Sequence, residues 1–132
     1  MRQRKYNGTK SPLVGKIGTE SDLFTTFMEN MVGMPCVKEY RFHDVRHWRF
    51  DYAFPSLKIA IECDGGVFTN GRHVRPQGYI NDMEKFNHAA MLGWLVLKFT
   101  PEQMISHETA EQVRATIKTR LAEIAERSNK QK

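Results

Sequence analysis

Apolar and polar positions change period several times along the 132-residue chain, and the changes mark its elements. From Thr19 onward, Leu23, Phe24, Phe27, Met28 and Met31 recur at helical spacing and predict one buried stripe. Thr19 is the expected N-cap, Glu20 and Asp22 suit the first turn, and Gly33 followed by Pro35 stops the helix. Three strands are expected next. VKEYRF (37–42) alternates weakly. HWRFDYAF (47–54) alternates clearly, which places Trp48, Phe50, Tyr52 and Phe54 on one face. LKIAIECD (57–64) alternates again, and Pro55-Ser56 forms a tight turn before it.

A long loop, Gly65 to Gly78, separates these strands from a second helix that is expected to begin near Asn81 and stop at Gly93. WLVLKF (94–99) is nearly continuous in apolar residues, as for a strand covered on both faces. Thr100 to Gln103 reads as a capped turn. Ser106 caps a final helix with Ala110, Val113, Ile117, Leu121 and Ile124 on its apolar side. The expected order is helix, three strands, helix, strand, helix. The first three strands meander antiparallel, and the crossover helix places the fourth strand parallel to a neighbour.

Length allows one domain, expected over residues 19–127. Residues 1–18 hold Arg2, Arg4, Lys5, Lys10 and Lys16 and no acid, and read as a flexible basic arm. Residues 128–132 read as a disordered tail. The net charge of +5 favours a polyanionic partner. No apolar run approaches a membrane span, and the first residues do not form a secretory signal. Cys36 and Cys63 cannot make a disulfide scaffold, so a cytoplasmic setting is expected. Cys36, His43, His47, Cys63 and His73 have no local zinc-ligand spacing, and Cys63 is expected on the apolar strand face as a core thiol. Met28, Met31, Met34 and Met91 are expected as core filler. Lys118, Arg120 and Arg127 are expected on the outer, solvated side of the last helix.

The chemistry is concentrated at the hairpin 47–64. A turn at about residues 55–58 puts Asp51 opposite or diagonal to Glu62, with opposed Cβ atoms about 5 Å apart. Alternation puts Arg49, Asp51, Glu62 and Asp64 on one face. Three carboxylates so placed repel one another unless a cation sits between them. Mg²⁺ accepts carboxylate and water oxygens, and the backbone carbonyl of Cys63 can add a further oxygen. The competing reading is a solvated strand face on which Arg49 and Lys58 pair the acids. An acid-free loop with Arg72, His73 and Arg75 follows the strand at once.

An acid in the first helix, an Asp on the second strand and an acidic pair ending the third resemble the PD-(D/E)XK nuclease superfamily. The stretch IECDGGVF…GRH…NDMEKFNHAAMLGWLVLKFT is similar to the branch around the very-short-patch repair endonucleases and their small phage and bacterial relatives. The resemblance covers roughly residues 20–104. It implies an α/β, restriction-endonuclease-like core of order αβββαβα, with a mixed central sheet flanked by helices. It also implies a Mg²⁺-dependent endonuclease (Mn²⁺ substituting) acting on DNA and leaving a 5′-phosphate and a 3′-hydroxyl. Asp51 and Glu62 would be the metal ligands, with the helix-one acid, Glu20 or Asp22, ordering the attacking water.

The chain departs from the family pattern twice. Phe50 stands where a proline precedes the strand-two Asp, and Asp64 occupies the place of the motif lysine. The basic role falls to Lys85, which shares a helical face with Ala89 and Leu92, or to His73 in the loop. A surface lysine paired with Asp82 is the plainer alternative for Lys85. Arg46, Arg49, Arg72 and Arg75 are candidate phosphate contacts. A non-catalytic nucleic-acid-binding protein on the same fold is the second expectation. A junction resolvase would require a homodimer, and a larger protein partner is a further expectation for so small a chain.

Overall fold

A computed structural model of the protein describes residues 21–65 and 76–130. The elements are α1 (Leu23–Val32), β1 (Val37–Arg41), β2 (Arg49–Phe54), β3 (Ile59–Cys63), α2 (Pro76–Met91), β4 (Leu95–Phe99) and α3 (His107–Lys130). Short 3-10 turns at Pro55–Leu57 and Pro101–Gln103 join β2 to β3 and β4 to α3. The four strands form one mixed sheet in the order β1-β2-β3-β4. The first two pairings are antiparallel, and β4 runs parallel to β3, as a helical crossover through α2 requires. Among the described residues, no helix is long and apolar enough to cross a membrane.

Helices cover both faces of the sheet. On one side Phe54, Ile59 and Ile61 meet Phe24 and Met28 of α1 and Ala110, Val113 and Ile117 of α3. On the other, Ala53 and Ala60 meet Ala89 of α2, flanked by Phe42, Phe50 and Trp94. Three alanines at that crossing leave no side chain long enough to hold helix and sheet apart. This brings α2 close enough for a side chain one turn before Ala89 to reach the end of β3.

Several details depart from the sequence reading. The N-cap of α1 is Asp22, which forms a reciprocal capping box with Thr25, and Leu23 is exposed. Strand β2 does not keep one face: Phe50 joins the α2 side, whereas Tyr52 and Phe54 join the α1–α3 side. The break coincides with a gap in the β1–β2 ladder. Pairs form on either side of Glu39 and Asp51 but not between them, and Glu39 has a left-handed φ of 50°. Helix α2 starts at Pro76 rather than near Asn81, so Asn81 lies inside it. A proline tolerates a first helical position because its missing N–H would have no acceptor there.

Strand β4 is a sheet edge with Leu95 exposed and only Phe99 buried, not a strand covered on both faces. Helix α3 continues to Lys130, so residues 128–130 are helical rather than a loose tail. Leu121, Ile124 and Met91 are exposed, outside the expected core. Arg120, expected in solvent, is buried. Its guanidinium donates to the carbonyls of Leu57 (2.8 Å), Lys58 (3.2 Å) and Gly93 (2.7 Å), tying α3 to two turns at one end of the sheet.

Candidate active site

The β2–β3 register pairs Tyr52 with Ile61, so the next position sets Asp51 across from Glu62. There the ladder ends and side chains take over its hydrogen bonds. The Asp51 N–H donates to Glu62 Oε2 at 2.8 Å, and the Cys63 N–H donates to Asp51 Oδ2 at 2.7 Å. Each carboxylate is thus fixed by a backbone amide of the other strand. In a strand the N–H and C=O of one residue point to the same side. The Cys63 carbonyl therefore lies on the Asp51 side.

Glu62 is buried, while Asp51 is exposed. The second oxygen of Glu62, Oε1, accepts from Lys85 Nζ of α2 in a short ion pair. Lys85 also lies near the faces of Phe86 and Phe50, at 5.1 and 5.7 Å from their centroids. Burial pushes the Glu62 carboxyl above its usual range, opposed by the Lys85 charge and by the Asp51 amide. Lys85 therefore pairs with Glu62 and not with Asp82.

The remaining candidates separate. Asp64 is exposed just beyond β3, with its amide donating to the Phe99 carbonyl at 2.7 Å. Among the described residues, no group of three or more His, Cys, Asp or Glu is gathered closely enough to hold a metal. The expected three-carboxylate cluster is thus reduced to the pair Asp51–Glu62. Asp22 has a structural role: it accepts from the Thr25 N–H (2.9 Å) and the Tyr52 hydroxyl (2.6 Å) and lies 3.9 Å from Lys38. Burial opposes its charge, but these partners outweigh burial and hold its carboxyl below the usual range.

Arg46 donates to Glu84 at 3.2 Å and lies over the Trp48 ring at 4.1 Å, so it ties the β1–β2 loop to α2. Arg49 is exposed at the start of β2. Glu20, Arg72, His73 and Arg75 lie outside the described residues. Cys63 is exposed, contrary to the core-thiol expectation, because the strand ends there. Cys36 is buried, and its thiol is pushed up to about 12 by burial and by Glu29.

The site also contains residues that the sequence did not single out. A cavity of about 420 Å³ opens beside Asp51 and Cys63, lined by Phe24, Lys38, Glu39, Tyr52 and Met104. The Tyr52 ring meets that of Phe24 at a tilt of 40° with centroids 4.3 Å apart, and burial together with Asp22 pushes its phenol upward. Nothing local marks Glu39, since its left-handed φ belongs to a residue type that seldom adopts it.

The oxygen donors gathered here, two carboxylates and a carbonyl, match the preference of Mg²⁺ for hard ligands. Asp51 Oδ1 stands outside the amide contacts that hold its partner oxygen. The donor set therefore fits such an ion, with Lys85 as a cation already in contact with one carboxylate. Compared with family models, with curated proteins and with solved structures, the chain has no match.

Proposed function

We propose that the chain is a metal-dependent DNA endonuclease whose working group is Asp51, Glu62 and Lys85. The reading rests on one observation. Two carboxylates from adjacent strands are each held by a backbone amide of the opposite strand, Glu62 by that of Asp51 and Asp51 by that of Cys63, and a lysine from a third element lies on the buried one. Asp51, Glu62 and the Cys63 carbonyl would hold Mg²⁺. When bound, that ion supplies Lewis-acid polarisation of a phosphodiester and a more acidic water.

The chain's own residues do the rest. Asp51 and Glu62 are pre-oriented, so little reorganisation is needed to meet the cation. Lys85 places positive charge where negative charge grows on phosphate oxygens during displacement. It thereby fills the place of the lysine that Asp64 displaces from the resembling motif. Exposed Arg49 and the net charge of +5 suit a polyanionic substrate. Hydrolysis would leave a 5′-phosphate and a 3′-hydroxyl, with the chain acting as a nicking or structure-specific enzyme.

A non-catalytic nucleic-acid-binding role is the second reading. It is favoured by the closed Lys85–Glu62 pair and by the absence of a third acid in the group among the described residues. Relaxation of supercoiled plasmid in Mg²⁺ or Mn²⁺ decides between them. The endonuclease reading expects nicks that vanish with EDTA and with Asp51→Asn. DNA binding without any metal-dependent nicking would overturn it.

A further inference from the structure

The loop between β1 and β2 is organised by one buried histidine. Nδ1 of His43 accepts the backbone N–H groups of Val45 (3.1 Å) and Arg46 (2.9 Å). A ring nitrogen that accepts carries no proton, so the His43 proton sits on Nε2. That nitrogen lies 3.2 Å from Nδ1 of His88 on α2, which must then be the acceptor and also unprotonated. The hydrogen bonds run one way, from the loop amides to His43 and from His43 to His88, and they require both rings to be neutral. A metal between the rings does not satisfy the same atoms. Coordination at Nε2 would shift the His43 proton to Nδ1 and expel both loop amides.

His88 lies three residues after Lys85 and so shares its helix face. A second tie runs beside the first. Arg46 of the same loop bonds Glu84, the residue before Lys85, and the Trp48 ring packs against both His43 and His88 at 5.1 Å. The loop therefore holds α2 at Glu84 and His88, on either side of the lysine that reaches Glu62.

We propose that His43 and His88 are positioning residues for Lys85, and that this one-way chain of hydrogen bonds from loop amides to His43 to His88, complete only when both rings are neutral, makes the Lys85–Glu62 contact sensitive to mild acid. The functional weight of this device rests on the reading that Lys85 serves the site.

Groups that face the pair set the direction of its response. His43 is met by His88 from α2, by Asp44 (3.8 Å) and Arg46 from its own loop, and by Arg41 at the end of β1. Glu84 and Lys85 carry the nearby charge on α2, and Glu84 is paired with Arg46. Burial first, then the His88 charge and the two arginines, hold the imidazole of His43 below its ordinary range, with Asp44 opposing. Unfolded histidine takes up its proton near pH 6.5, and folded His43 does so only at lower pH. The contribution of neutral His43 is therefore present above about pH 6.5 and is lost as pH falls towards its folded value.

Nuclear magnetic resonance of the full chain tests the proposal without any reference to DNA cleavage. Imidazole ¹⁵N shifts give the tautomers, and the Lys85 ¹³Cε and Glu62 ¹³Cδ resonances follow the ion pair. At pH 7.5, His43 should carry its proton on Nε2 and His88 should be bare at Nδ1. Acidification should move the Lys85 resonance over the interval in which His43 protonates. His88→Asn offers an oxygen acceptor that does not titrate, so Lys85 should keep its pH 7.5 position to lower pH. His88→Leu should give the acid-form position already at pH 7.5.

The proposal is overturned by an Nδ1–H tautomer at His43, or by a folded His88→Leu protein with an unchanged Lys85 resonance. Should His88→Leu not fold, a Lys85 profile in His88→Asn identical to wild type overturns it instead. A chain that shows this coupling but cuts no DNA would remove the endonuclease reading alone, and one that cuts DNA without the coupling would remove this inference alone.

Discussion

Two cations, a buried arginine and a half-buried lysine, close opposite ends of β3, and they close on different chemistry. At the Ile59 end, Arg120 of α3 donates to three backbone carbonyls. At the Cys63 end, Lys85 of α2 lies against the carboxylate of Glu62. Carbonyl dipoles do not titrate and do not leave, so these three bonds persist at every ordinary pH, beside a partly exposed ion pair of Arg120 with Glu123 at 3.7 Å. A carboxylate can take up a proton or share its charge with an arriving ion, so the Lys85 junction can be exchanged. Burial of a cation therefore does not by itself distinguish scaffold from site. What distinguishes them is whether the acceptor can change its charge.

The largest effect that follows from this contrast belongs to Asp51. Asparagine keeps an oxygen for the Cys63 amide but loses the charge that would hold a divalent ion. Asp51→Asn should reduce Mg²⁺-dependent plasmid nicking by about a thousandfold, a barrier of roughly 4 kcal/mol. Circular dichroism should show the fold retained. Lys85→Met should act next. Loss of one donor to a growing charge lowers turnover by about a hundredfold. Breaking a buried pair from one side destabilises a protein by about 3–5 kcal/mol. The same change should raise the Glu62 carboxyl pKa further, since burial would then act unopposed by the lysine, as a ¹³C titration would show.

Arg120→Met turns the comparison round. Losing charged hydrogen bonds to carbonyls at a buried position should lower stability by about 3 kcal/mol. Nicking per folded molecule should be unchanged, and a fall in activity greater than the fall in folded protein would contradict the scaffold role. Acid should separate the ends more gently. Thermal stability should decline as pH falls below about 6.5, because unfolded histidine binds a proton that neutral His43 refuses. His88→Asn should flatten that decline. The smallest effect is expected outside both junctions: Ile124→Ser, on an exposed position of α3, should stay within about 0.5 kcal/mol of wild type by denaturant unfolding.

The parts of this arrangement that short-range rules govern were legible from the chain itself. A turn at Pro55-Ser56 and the two-residue period of the flanking strands set Asp51 against Glu62, as the register has it. Helical spacing from Ala89 turned Lys85 towards the sheet. Arg120 carried a readable signal that its charge obscured: it falls three residues after Ile117, on the same buried stripe as Val113. The split of β2 between two faces had no such signal. It depends on a left-handed Glu39, where the chain uses no glycine. The His43–His88 bond joins residues 45 positions apart through a loop without periodicity, so only the folded chain brings them together. Asp64 misled for the opposite reason. Strand parity predicted its face but not that β3 stops at Cys63, one residue before it, with the Asp64 amide still bonded to Phe99 of β4.

Anomalous diffraction from crystals soaked in Mn²⁺ reads whether the amide-held carboxylates at the end of β3 form a divalent-cation site. The account predicts an anomalous peak in contact with Asp51, Glu62 and the Cys63 carbonyl, absent in Asp51→Asn crystals. Fully soaked crystals with no peak there, and with Glu62 still closed on Lys85, would contradict it.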